Sequence, residues 1–193
     1  MKTDWYKIYK FAQEHTGEGA VRQWFDVMRK AEKMGNMSLP KGFVYNGMED
    51  FLSQHGVEYT SQPLTSEEIK LLRDPLENEW MYQVKQCYYN SQHIASGSNG
   101  KIQYVEGVAF CRLIPMSHAW NVINGKVVDF TWRKNGEPVL GIIPEGWEYI
   151  GVPFEVKRED MEEYIAEHQE VCSYLDDWRG GHQLYKKRFE ENT

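Results

Sequence analysis

A cysteine, a histidine and an aspartate stand in this chain in an order that could do covalent chemistry. Cys87 falls where a helix would begin. His118 lies in Ser117-His118-Ala119-Trp120-Asn121-Val122, and Asp129 in Val127-Val128-Asp129-Phe130-Thr131-Trp132. Ile123-Asn124-Gly125-Lys126 joins the two segments. Asn-Gly between alternating apolar residues is the strongest short-range hairpin signal, so imidazole and carboxylate would sit side by side. A thiol nucleophile needs an ionised sulfur, a proton shuttle and an oriented base. The field of a helix N-terminus favours thiolate. A neighbouring histidine stabilises it and later acts as general acid, and a carboxylate on the second ring nitrogen fixes the tautomer. Cys87, His118 and Asp129 meet these needs if the helix packs across the sheet. The Cys87 backbone N–H is one oxyanion donor, and Gln83 or Gln86 could add a side-chain amide.

His118-Ala119-Trp120 followed by Val128-Asp129-Phe130-Thr131 resembles the HAW and vDpT signature of the transglutaminase-like branch of the papain-like cysteine enzymes. Tyr104-Val105-Glu106-Gly107-Val108-Ala109 resembles the strand between cysteine and histidine in that family. Tyr88 stands where the family carries an aromatic after the cysteine. The span 86–154, with Tyr149-Ile150-Gly151-Val152-Pro153-Phe154, is similar to small phage and bacterial proteins of that type. The resemblance implies an α+β, papain-like fold. It also implies a catalytic triad of Cys87, His118 and Asp129.

Other residues carry plainer readings. Trp120 and Trp132 are read first as packing, with Trp120, like Tyr88, kept as a substrate candidate. His93, six residues beyond Cys87, points elsewhere on a helix. Cys111 alternates with core residues on its strand, and Cys172 reads as core on the last helix. A metal site is not expected, since Cys87, His118 and Asp129 lack zinc-type ligand spacing and CxxC is absent.

The elements that must position these groups divide in two. Helical periodicity marks 4–14 and 20–34, a loop spans 35–47, and a short helix covers 48–54. Thr65-Ser66-Glu67-Glu68 is a capping box opening a helix through Leu72, with Asp74-Pro75 stopping it and Pro75 opening the next. A helical pattern then runs from Leu76 past Cys87 to about Ala95, and Gly97-Ser98-Asn99-Gly100 ends it. Residues 101–113 are β-rich, with Gly107 as a bulge. The hairpin of 118–132 follows, then a turn at 135–138 and strands at 139–143 and 147–152. A helix over 158–175 and a charged tail over 179–193 close the chain. Helices first, then a meandering antiparallel sheet, make an α+β protein. Residues 1–75 form a helical extension or cap, and 76–193 the catalytic core with its C-terminal helix.

The whole composition narrows the function. The chain has 193 residues, 41% apolar, enough for one sizeable core. A net charge of −7 argues against a nucleic-acid binder working by phosphate neutralisation. Three cysteines without close pairs make a poor disulfide framework, and no long apolar run opens the chain. The expectation is a cytoplasmic cysteine acyl-transfer enzyme needing no cofactor, acting on a protein, peptide or amide substrate, with no nucleic-acid or membrane partner. The acceptor is water (protease, amidase, deamidase) or an amine (transglutaminase-like crosslinking). The sequence does not fix the oligomeric state. The alternative is a non-catalytic phage or bacterial binding protein that keeps the fold and engages a host factor. A cell-wall peptidase of the other papain-like branch is a weaker third.

Overall fold

The computed structural model describes residues 48–76, 85–111, 114–134, 137–168 and 173–175. The helices expected over 4–14 and 20–34, Gln83, Cys172 and the 179–193 tail lie outside the described residues. The described chain runs α1 (Met48–His55), β1 (Val57–Glu58), α2 (Ser66–Leu76), α3 (Cys87–Ser96), β2 (Gln103–Cys111), β3 (Ile114–Ile123), β4 (Lys126–Lys134), β5 (Glu137–Leu140), β6 (Trp147–Phe154) and α4 (Arg158–His168). It is α+β.

Local chemistry explains several of these bounds. Asn124 and Gly125 both have positive φ, 51° and 81°, the turn whose twist suits a two-residue hairpin. The capping box forms as its sequence implies. Thr65 N–H donates to Glu68 Oε2 at 2.7 Å, and Glu68 N–H donates to Thr65 Oγ1 at 3.3 Å. Glu68 also accepts from Asn124 Nδ2 and Lys126 Nζ, each at 2.8 Å, so the start of α2 is stapled to the β3–β4 turn.

The six strands form one sheet in the order β1-β6-β2-β3-β4-β5, with antiparallel ladders throughout. Strands β2 to β5 are a meander. β6 departs from it: the chain returns to pair with β2, and β1 adds outside β6. α3 lies against β2, β3 and β4. Phe51 and Leu52 of α1 share a buried cluster with Tyr104, Phe110, Val152 and Tyr174, with Cys87 and Tyr88 at its edge. Leu72 of α2 joins Ile94, Ile123, Val128 and Phe130 in a second. Phe51, Leu52 and Leu72 thus tie α1 and α2 into the same clusters as the sheet and α3. A third cluster holds Val105, Trp120, Val127 and Tyr149, flanked by Tyr59, Trp132 and Trp147.

Four local expectations need correction. Gly107 is no bulge, because β2 pairs in unbroken register with both neighbours, Gly107 facing His118 and Gly151. A Cβ on Gly107 would come within 2.1 Å of the Ile150 carbonyl oxygen, so glycine is needed for strand contact. α2 continues to Leu76, so Pro75 closes that helix and does not open the next. The strand expected over 139–143 is Glu137–Leu140, ended by Gly141 at φ 77°. α4 is a helix to His168, and 173–175 dock on the sheet through Glu106 instead of continuing a described helix. No described helix is long and apolar enough to cross a membrane.

Candidate active site

Cys87 opens α3, directly after Gln86 at the N-cap position. Asn90 N–H makes the first helical bond, to Gln86 O at 2.9 Å. The Cys87 N–H therefore precedes the ladder and lies among the groups that give a helix N-terminus its positive field. No acidic residue sits in the first turn to oppose that field. Two residues earlier, Lys85 takes a left-handed backbone, φ 65°, which turns the chain into the helix.

His118 on β3 bridges the other two groups. Its Nε2 lies 2.7 Å from Asp129 Oδ2. Cys87 lies near enough to the ring to help raise the pKa of His118. With Nε2 given to Asp129, Nδ1 is the nitrogen left for the sulfur. His118 and Asp129 are 3% and 1% exposed, whereas Cys87 is half-buried. The pair is shielded from solvent, and Cys87 is less so. Burial works to lower the His118 pKa. The charge and hydrogen bond of Asp129, then the contact with Cys87, outweigh it and push it up to about 9.

Asp129 is held on both oxygens. Oδ1 accepts from the N–H groups of Thr131 and Trp132, each at 2.9 Å. Oδ2 accepts from Tyr149 Oη at 3.0 Å besides His118. The β4–β5 register shifts between Asp129 and Arg133, which turns the Thr131 and Trp132 N–H groups to the carboxylate. Trp132 stacks flat on the imidazole, centroids 4.2 Å apart and planes 16° apart. That contact covers one ring face and fixes its plane.

The helix and the hairpin are bolted together beside the triad. β3 and β4 pair from Ile123↔Lys126 to Asn121↔Val128, next to the turn. Beyond that ladder, α3 meets both strands. Asn90 Nδ2 donates to Thr131 Oγ1 at 2.9 Å, and Asn121 Nδ2 donates to Ser91 O at 2.9 Å. Asn90 lies three residues after Cys87, and Thr131 also presents its N–H to Asp129, so one contact links the start of α3 to the Asp129 carboxylate.

The remaining candidates fare differently. Gln86 is exposed and makes no side-chain cap, which leaves its amide available beside Cys87. Tyr88 is half-buried against the first cluster. Trp120 has no exposed surface with which to touch a substrate; it packs parallel to His118 at 6.2 Å. His93 packs at a tilt against Tyr89, ring centroids 4.2 Å apart, and burial lowers its pKa. Among the described residues no group of His, Cys, Asp and Glu could hold a metal. Tyr149, Asn90 and Thr131 were not singled out as site residues. Only Thr131, two residues after Asp129, carried a local signal. The chain matches no family model, no curated protein and no solved structure.

Proposed function

We propose that the protein is a cysteine-dependent acyl-transfer enzyme on a papain-like, transglutaminase-like fold. The observation that carries the reading is one buried imidazole hydrogen-bonded to Asp129, with Cys87, at a helix N-terminus, close enough to act on the same ring.

In this mechanism Cys87 acts as thiolate beside the His118 imidazolium. The sulfur attacks the carbonyl carbon of an amide, and the carbonyl electron pair moves to oxygen. The Cys87 N–H meets that oxygen, with the Gln86 side chain as the second donor. When the tetrahedral adduct collapses, the C–N bond breaks and the His118 Nδ1 proton passes to the departing amine. A thioester on Cys87 and a neutral imidazole remain. Water or an amine then attacks the thioester, giving its proton to Nδ1, and the thiolate leaves. Asp129 keeps Nε2–H aimed throughout. The substrate class is a protein, peptide or other amide, and the protein works in a reducing, cytoplasmic setting where a free thiol persists.

Activity-based labelling tests this. An electrophilic amide mimic should modify Cys87 in the wild-type protein and fail to do so in His118→Ala. Labelling that ignores His118 would transfer the assignment to a non-catalytic binding protein.

A further inference from the structure

The geometry points to Tyr149 as a positioning residue of this site: its hydroxyl holds Asp129 and limits how tightly the His118–Asp129 pair keeps its proton. The inference rests on the acyl-transfer reading and adds a residue to it.

Tyr149 sits on β6, between β1 and β2, and is 2% exposed. Its Oη donates to Asp129 Oδ2 at 3.0 Å, the oxygen that also faces His118 Nε2 at 2.7 Å. The phenol and the imidazole therefore share one carboxylate oxygen. Burial first, then the Asp129 charge, hold the Tyr149 pKa well above its ordinary value, so the hydroxyl stays a donor across the working pH range. Its ring packs edge-on against Trp120 at 5.1 Å, which holds the phenol oxygen in place beside Asp129.

The consequence follows from charge. A hydrogen bond from a neutral phenol takes up part of the carboxylate's negative charge. Without it, Oδ2 would be compensated by His118 alone and would bind the imidazolium proton more tightly. A general acid must release its proton within the catalytic cycle, so holding too tightly slows turnover. The titratable groups around the pair are Cys87 from α3, Asp129 from β4, Tyr149 from β6, and Cys111 on β2 near Tyr149. Of these, only Tyr149 brings a neutral donor to the carboxylate.

The test is an NMR titration of His118 side-chain nitrogens in the full chain, with His118 assigned by its loss in His118→Gln. In Tyr149→Phe the protonation midpoint should rise by about one pH unit. If that variant does not fold, site-specific ring-fluorinated tyrosine at 149, a stronger donor of the same shape, should lower the midpoint. An unchanged or lowered midpoint in Tyr149→Phe overturns the proposal, as does an unchanged or raised one with the fluorinated residue. Failure of the acyl-transfer reading looks different: Cys87 would show no His118-dependent labelling, whatever Tyr149 does to the midpoint.

Discussion

Two carboxylates are buried in this sheet, and they differ in what faces them. Asp129 accepts two backbone N–H groups and a phenol, and faces an imidazole whose pKa Cys87 also helps raise. Glu106, on β2, accepts from Tyr104 Oη, Ser173 Oγ and the Tyr174 and Leu175 N–H groups. All four of its donors are neutral. Burial pushes its pKa up to about 7 although those bonds pull it down. Glu106 ties residues 173–175 to the sheet, whereas Asp129 faces the titratable imidazole of His118. Four hydrogen bonds make a buried carboxylate tolerable. Chemistry needs in addition a titrating partner with a less buried neighbour to work on.

Substitutions should separate the two roles. The largest effect is expected at the triad. Asp129→Asn should slow Cys87 acylation by about a hundredfold or more, because the imidazole loses its orienting anion. Glu106→Gln should leave acylation nearly intact but cost about 1–3 kcal/mol in denaturant unfolding, since an amide N–H₂ would face donors. If Glu106→Gln also abolished acylation, the division between the two carboxylates would fail.

Gly151 tests the frame both share. A Cβ there would meet the Glu106 carbonyl oxygen at 2.5 Å and the end of the Trp120 ring at 2.6 Å. Gly151→Ala should destabilise by about 1–3 kcal/mol through overpacking, seen as a lower melting temperature.

The pH dependence of stability should show the pair as separate windows. Glu106 has its folded pKa raised above 4.5, so its contribution is full below that pH and is lost as pH rises through about 7. His118 is raised above 6.5, so its contribution is full below that pH and is lost as pH rises through about 9. Melting curves should lose the lower window in Glu106→Gln and the upper one in His118→Ala. A smaller effect is expected at Glu68, whose pKa its hydrogen bond with Lys126, then those with Thr65 and Asn124, lower to about 2. Its stabilisation is present above 4.5 and lost as pH falls through 2, and Glu68→Gln should remove only that acid limb.

What was legible in the sequence was local. The Asn124-Gly125 turn needs positive φ at both residues, and the Thr65–Glu68 box is written in four consecutive residues. Both emerged, and with them the strands that carry His118 and Asp129. What was not legible depends on long-range pairing. β6 lies beside β2, not beside its sequence neighbour β5, so nothing local announced that Tyr149 would reach Asp129. The same pairing turns Gly107 from an expected bulge into a contact point with Gly151. Glu106 gave no sign of its role, because its partners Ser173, Tyr174 and Leu175 lie more than sixty residues away in sequence.

The most direct test of the account is the rate at which iodoacetamide alkylates each cysteine at mildly acidic pH. Cys87 should react well ahead of Cys111 and Cys172, and His118→Ala should remove that lead while the protein stays folded. Equal rates at the three cysteines, or a Cys87 lead that survives His118→Ala, would contradict it.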